Sequence, residues 1–158
     1  MTNRTVNELR WDMTGMDDAN AFDQYANFSI LAGPTYRLQV GPRTSSAGVQ
    51  SVQSGNAILY HNGQNFTTFD RDQDINSGVN CAQLYHSGFW FKYCFHRNIN
   101  PNGQYGSTDG NKGMRYDSLS GNHILKTILK LNNKMKLHIS CDTDNEVPEI
   151  VANAATVK

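Results

Sequence analysis

The sequence has no excess of either charge: 14 Lys and Arg stand against 14 Asp and Glu in 158 residues, a formal net charge of zero. A balanced chain offers no broad field to a phosphate backbone or an anionic membrane, so nucleic acid is not expected as a partner. No apolar run approaches the roughly 18 residues of a membrane span, and no membrane insertion is expected. The opening Met1-Thr2-Asn3-Arg4-Thr5-Val6-Asn7-Glu8 contains no apolar h-region, so an extracellular protein would take its export signal from outside this sequence. Catalytic signatures are equally scarce. There is no H-E-x-x-H stretch, no glycine-rich phosphate loop and no nucleophile elbow. His86 and His96 are not spaced as a zinc pair, and Cys81, Cys94 and Cys141 have neither zinc-ribbon nor C-x-x-C spacing. A Ser-His-Asp triad leaves no local trace in sequence, but nothing here marks a nucleophile. The chain reads as a binding protein and not as an enzyme.

What is present suits one loop-rich domain. Apolar residues make up 38% and aromatic residues 10%, enough for a core, while 13 glycines point to many turns. Glu8-Leu9-Arg10-Trp11-Asp12-Met13 alternates and predicts a strand with Leu9, Trp11 and Met13 on one face. A second strand is expected over Asn27–Leu31 and a third over Tyr36–Val40, separated by the Gly33-Pro34 break. Phe22, Tyr25 and Phe28 form a short apolar stripe between these. Residues 41–57 read as a loop with a short helix near Val49–Val52. His61-Asn62-Gly63-Gln64 is a turn. Cys81–Tyr85 fits one helical turn, and Gly88–Cys94 a buried extended segment. Residues 97–113 show no regular element, which in an ordered domain points to binding or pinning. Ile124–Leu131 fits helix or strand, and Met135–Ile139 a closing strand. These segments predict an antiparallel sheet with one face in the core.

The stretch with most chemistry is Asp70-Arg71-Asp72-Gln73-Asp74-Ile75-Asn76-Ser77-Gly78-Val79-Asn80-Cys81-Ala82. Calcium takes six to eight oxygen ligands, and two of these carboxylates with the carbonyls of Asn76 and Gly78 could converge on one ion. The ion would also offset repulsion within the acidic cluster. An EF-hand is excluded, because Ile75 stands where its loop needs glycine and Cys81 where it needs glutamate. A solvated acidic turn without an ion remains the other reading. The cysteines fit one disulfide plus a free thiol, or three thiols. A bond between Cys81 and Cys94 would be worth on the order of 3 kcal/mol by loop entropy. The loop so closed carries Tyr85, His86 and Phe89-Trp90-Phe91, either the floor of a small-ligand site or part of the core. Three N-x-[ST] sequons, at Asn3, Asn27 and Asn65, are compatible with secretion.

Taken together, Tyr36-Arg37-Leu38, Tyr60-His61-Asn62-Gly63, Phe66-Thr67-Thr68, the acidic run, Asn80-Cys81-Ala82, Gly88-Phe89-Trp90-Phe91, Asn98-Ile99-Asn100 and Met135-Lys136-Leu137 resemble the fibrinogen C-terminal domain, over roughly residues 8–140. The resemblance implies an extracellular recognition module of the ficolin, tachylectin, fibrinogen or angiopoietin-like kind. It implies calcium as the bound ion, with ligands Asp72 and Asp74 plus the loop near Asn76 and Gly78, and a Cys81–Cys94 disulfide. In lectin members an aromatic-lined pocket beside this disulfide takes the acetyl group of N-acetylated sugars. Tyr85 matches one wall, with Phe95, His96, Tyr116 and His123 near the others. Against the family pattern, Phe95 intervenes between the second loop cysteine and His96, Val79 lengthens the acidic loop, and the family's first subdomain is not seen.

The expected architecture is α+β: a central antiparallel β-sheet with short helices and a large loop-rich calcium-binding subdomain. Residues 1–142 would form a partial fibrinogen-like domain and 143–158 a flexible tail. The expected function is recognition, of glycans bearing N-acetyl groups in an innate-defence setting or of a protein receptor.

Overall fold

Alternation sets the first strand. In Glu8–Gly15 (β1) Leu9, Trp11 and Met13 are buried, while Glu8, Arg10, Asp12 and Thr14 lie half-buried on the opposite face. The computed structural model describes residues 7–49, 57–94, 99–107, 109, 112–116, 124–132, 137–138 and 151–152. Asn20–Tyr25 (β2) returns antiparallel to β1 after a turn closed by the Gly15 amide on the Ala19 carbonyl. Ser29–Ile30 (β3) pairs with Leu38–Gln39 (β4) as a separate short hairpin. Arg43–Ala47 (β5) joins β2, and Ile124–Asn132 (β6) joins the other side of β1, giving a four-stranded antiparallel sheet ordered β5-β2-β1-β6. Two helices, Ala57–Tyr60 (α1) and Cys81–Tyr85 (α2), are each about one turn. Leu137–His138 (β7) pairs with Val151–Ala152 (β8). Among the described residues no helix is long and apolar enough to cross a membrane.

The sheet's inner face brings Trp11 opposite Asp23 and Leu129, and Met13 opposite Ala21 and Thr127. Tyr116 meets Trp11 edge to face, with ring centroids 5.1 Å apart. Asp23 is fully buried and pairs with Arg43 at 2.5 Å, while the hydroxyls of Tyr25 and Tyr116 donate to its Oδ2. A buried carboxylate is tolerated only with such full pairing. This cluster ties β2, β5 and the 112–116 segment together.

Two expectations are corrected by this arrangement, and one that was open between helix and strand is resolved. β2 replaces a simple stripe, because Asp23 occupies an inward position between Ala21 and Tyr25. The third strand shrinks to Leu38–Gln39, since Tyr36 takes φ 43° and is exposed. The ambiguous Ile124–Leu131 run is a strand, with Thr127 inward and Lys126 and Lys130 outward. The expected Val49–Val52 helix lies largely outside the described residues.

Candidate functional site

The candidate site is the junction between the acidic loop, α2 and the aromatic segment. Asn80 starts α2 as an N-cap, its Oδ1 accepting from the amides of Ala82 at 2.8 Å and Gln83 at 3.1 Å. Its side-chain amide donates to the Thr68 carbonyl at 3.0 Å, so the cap also anchors the segment before the loop. His86, at φ 53°, closes the helix in the left-handed region. Cys81, the first helical residue, is bonded to Cys94, and both are buried.

Around this staple the acidic loop is built from side chains gripping main-chain amides. Asp72 Oδ1 accepts from the Asp74 amide at 3.2 Å. Asp74 accepts from the Asn76 amide at 2.8 Å through Oδ1 and from the Cys81 amide at 2.9 Å through Oδ2. Asn76 Oδ1 accepts from the Gly78 amide at 3.2 Å, and its Nδ2 donates to Cys94 Sγ at 3.3 Å. Asp70 Oδ1 accepts from the Thr68 hydroxyl at 2.7 Å. Burial, with the Asp72 charge adding to it, holds the Asp74 carboxyl above its ordinary range, although the two amides pull it down. The carboxylate of Asp74 and the sulfurs of Cys81 and Cys94 lie within 4.8 Å of one another, but sulfurs joined in a disulfide are not thiolate ligands. What this loop offers a cation is hard oxygen.

The aromatic segment belongs to the core. Phe89, Trp90 and Phe91 are 2%, 7% and 1% exposed. Tyr85 lies against Phe91, with centroids 5.4 Å apart. Burial pushes the Tyr85 hydroxyl up to about 12, while the nearby Arg115 charge partly offsets this. Tyr116 is buried in the sheet cluster, where burial and the neighbouring Tyr25 and Asp23 raise its hydroxyl well above the ordinary range. Neither described aromatic of the expected acetyl pocket therefore shows an open ring face. Phe95, His96 and His123 lie outside the described residues. Exposed apolar side chains stand instead on the acidic loop and beside the disulfide: Phe69, Ile75, Val79 and Tyr93. A separate depression sits on the outer face of the sheet, lined by Arg10, Asp12, Thr14, Phe22, Lys126 and Ile128.

Two residues without a sequence-level role organise the junction. Asn100 is buried, and its amide donates to the Tyr85 carbonyl at 3.1 Å and the Gly113 carbonyl at 3.2 Å, while its Oδ1 accepts from Ser87 at 2.6 Å. His61 is 1% exposed and its Nδ1 accepts from the Lys92 amide at 3.1 Å. The Lys92 carbonyl in turn accepts from the Ile75 amide, so His61 supports the acidic loop at one remove. The Asn-Gly turn after His61 and the long Asn- and Gly-rich stretch were the visible signals.

The site thus joins a small antiparallel sheet, a disulfide-stapled one-turn helix and a loop whose side chains accept from its own main-chain amides. The protein belongs to the fibrinogen family, matching the C-terminal globular domain of the fibrinogen beta and gamma chains over residues 1–145. It is 39% identical to bovine (Bos taurus) microfibril-associated glycoprotein 4 over 93 residues, 59% of this chain and 36% of that protein. It is 37% identical to tenascin-N of Homo sapiens over 118 residues, 74% of this chain and 8% of that protein. The matched segments thus span about a third of the microfibril-associated glycoprotein and under a tenth of the tenascin. Among solved structures, the fibrinogen-like globe domain of human ANGPTL2 superposes with a TM-score of 0.64 at 28% identity, covering 83% of this chain and 60% of that one. Lamprey fibrin D-dimer, solved with the peptide Gly-His-Arg-Pro-amide, superposes at 0.65 over 91% of this chain and 51% of that one; its 20% identity supports the fold alone. The shared architecture is mainly antiparallel sheet with a few short helices.

Proposed function

We propose that the domain is an extracellular, non-catalytic recognition module whose acidic loop carries a structural calcium ion and whose exposed loop surface binds a protein ligand. The observation behind the protein ligand is the set of apolar side chains on and beside the braced loop: Ile75 is 59% exposed, Val79 38% and Tyr93 39%. Rigid display of exposed apolar groups favours binding, because little ordering entropy is lost when a partner covers them. The matrix glycoproteins among its relatives support an extracellular setting.

The loop chemistry fits calcium. A part-buried Asp74 beside the like charge of Asp72 is a pair that a hard divalent cation would relieve. Asp72 and Asp74 would hold it, with Asn76 and Gly78 supplying loop oxygens. The ion would neutralise the loop and stiffen it. It does no chemistry in this reading.

A second reading is an acetylated-glycan ligand of the ficolin or tachylectin kind, for which Phe95, His96 and His123 are the remaining wall residues, since the rings of Tyr85 and Tyr116 are buried. The motif resemblance alone supports it. Both readings are tested by presenting the domain, with calcium and with chelator, to purified microfibrils and to N-acetylglucosamine. Calcium-dependent retention on microfibrils that is lost in Ile75→Ser/Tyr93→Ser supports the protein reading. Calorimetric binding of N-acetylglucosamine with no microfibril retention replaces it with the glycan reading.

A further inference from the structure

We propose that Asn27 is an N-glycosylation site and that its sugar stands on the corner between β2 and β3. Asn27-Phe28-Ser29 is an acceptor sequon, but a sequon alone says little. The geometry is specific. Asn27 is exposed at φ 53°, a left-handed conformation that asparagine tolerates better than most residues. The backbone on both sides is clamped: the Ala26 amide donates to the Pro42 carbonyl at 3.0 Å, the Gly41 amide to the Ala26 carbonyl at 2.7 Å, and the Phe28 amide to the Asn7 carbonyl at 2.8 Å. Phe28 is buried and pins the corner from below, while Asn27 points outward.

Gly41 leaves the room the amide needs. A Cβ there would stand 3.1 Å from Asn27 Nδ2 and 3.2 Å from Asn27 Cβ, tighter than ordinary contact. The same Cβ would come within 2.9 Å of the Ala26 carbonyl oxygen, so glycine is what lets the Asn27 side chain sit at this corner without a clash. The sequon at Asn65 is differently placed. Asn65 is half-buried with its Oδ1 accepting from Arg37, and Thr67 is fully buried with its hydroxyl accepting from the Gln73 amide. A sugar on Asn65 would disturb packed structure, whereas one on Asn27 would not. The hairpin after Asn27 exposes Ile30, Leu31 and Tyr36, an apolar corner that a hydrated sugar would help keep from self-association.

The chemistry requires an oligosaccharide linked to a lipid diphosphate, the donor of the secretory route. Asn27 Nδ2 forms a bond to the anomeric carbon, the carbon–oxygen bond to the diphosphate breaks, the lipid diphosphate leaves with the electron pair, and the amide gives up one proton. The proposal rests on the extracellular reading above, but its test does not depend on any ligand or on calcium. The chain is expressed behind a secretion leader in eukaryotic cells, and the secreted protein is treated with peptide-N-glycosidase in heavy-oxygen water and mapped by mass spectrometry. The expected result is heavy aspartate at position 27 in most molecules, and loss of one glycan from the intact mass in both Asn27→Asp and Ser29→Ala. Asn27→Asp keeps a residue suited to positive φ, and circular dichroism checks that both variants fold. An unmodified Asn27 in secreted wild-type protein, or a glycan carried only on Asn65, overturns the proposal.

Discussion

Acid should destabilise this domain through His61, and the size of the effect follows from its burial. A histidine in an unfolded chain titrates near 6.5, whereas burial, aided by the Lys92 charge and opposed by the Trp90 backbone, pushes His61 down to about 3. The folded-state value is the lower one, so the unfolded chain takes up the proton first. The contribution is fully present above about pH 6.5 and is lost as pH falls toward 3. Each pH unit in that window is worth about 1.4 kcal/mol, or roughly 2 kcal/mol at pH 5. The structural reason is that Nδ1 accepts from the Lys92 amide and Nε2 is buried without a partner among the described residues, so neither position welcomes a charge. Urea unfolding of wild type and His61→Gln at about pH 7.5 and about pH 5 isolates the term, because the carboxylates titrate alike in both proteins. The variant should be less stable at the higher pH yet lose about 2 kcal/mol less on acidification. Equal losses in the two proteins would refute the reasoning.

Removing the staple with Cys81→Ser/Cys94→Ser should cost on the order of 3 kcal/mol in chemical denaturation, and reducing agent should then have no further effect on that segment. In a thermal-shift titration with calcium chloride, Asp74→Asn should abolish a stabilisation that Asp70→Asn retains, because among the described residues the Asp70 side chain bonds to Thr68 of its own turn while Asp74 grips the loop at Asn76 and Cys81. Asp23→Asn should cost about 3–5 kcal/mol by urea denaturation, since it leaves Arg43 half-buried without its counter-charge. Asn80→Ala should cost about 1 kcal/mol by the same measurement and loosen the start of α2, seen as faster amide exchange at Ala82 and Gln83.

Local pattern carried much of the fold. Leu9, Trp11 and Met13 announce β1 because nothing interrupts their period of two. β2 hid behind Asp23, a charged residue at an inward position whose partners, Arg43 and Tyr116, are 20 and 93 residues away. β6 was ambiguous for a related reason: Thr127 faces the core to accept from the Trp11 indole, a role that a hydropathy pattern does not register. Tyr36 read as a strand residue, yet its carbonyl accepts from the Trp90 indole at 2.6 Å and the backbone bends there. At the site, the acidic run, the helical turn over Cys81–Tyr85 and the cysteine pair are visible in order, whereas the capping role of Asn80 emerges only from the structure. The grip of Asp74 on the Cys81 amide is not visible either, because it depends on where the backbone returns after seven residues. Phe89, Trp90 and Phe91 illustrate a deeper ambiguity, since an aromatic cluster bears the same composition whether it floors a pocket or fills a core.

Asp72, Asp74 and Asn76 shape their loop by accepting from main-chain amides, which every residue except proline supplies. The outward side chains at Ile75, Ser77 and Val79 are consequently free of scaffolding duty. Selection, natural or in a laboratory library, can rewrite those positions while the frame beneath them keeps its shape. Under the proposed reading, grafted side chains at those three places should change which ligand is bound.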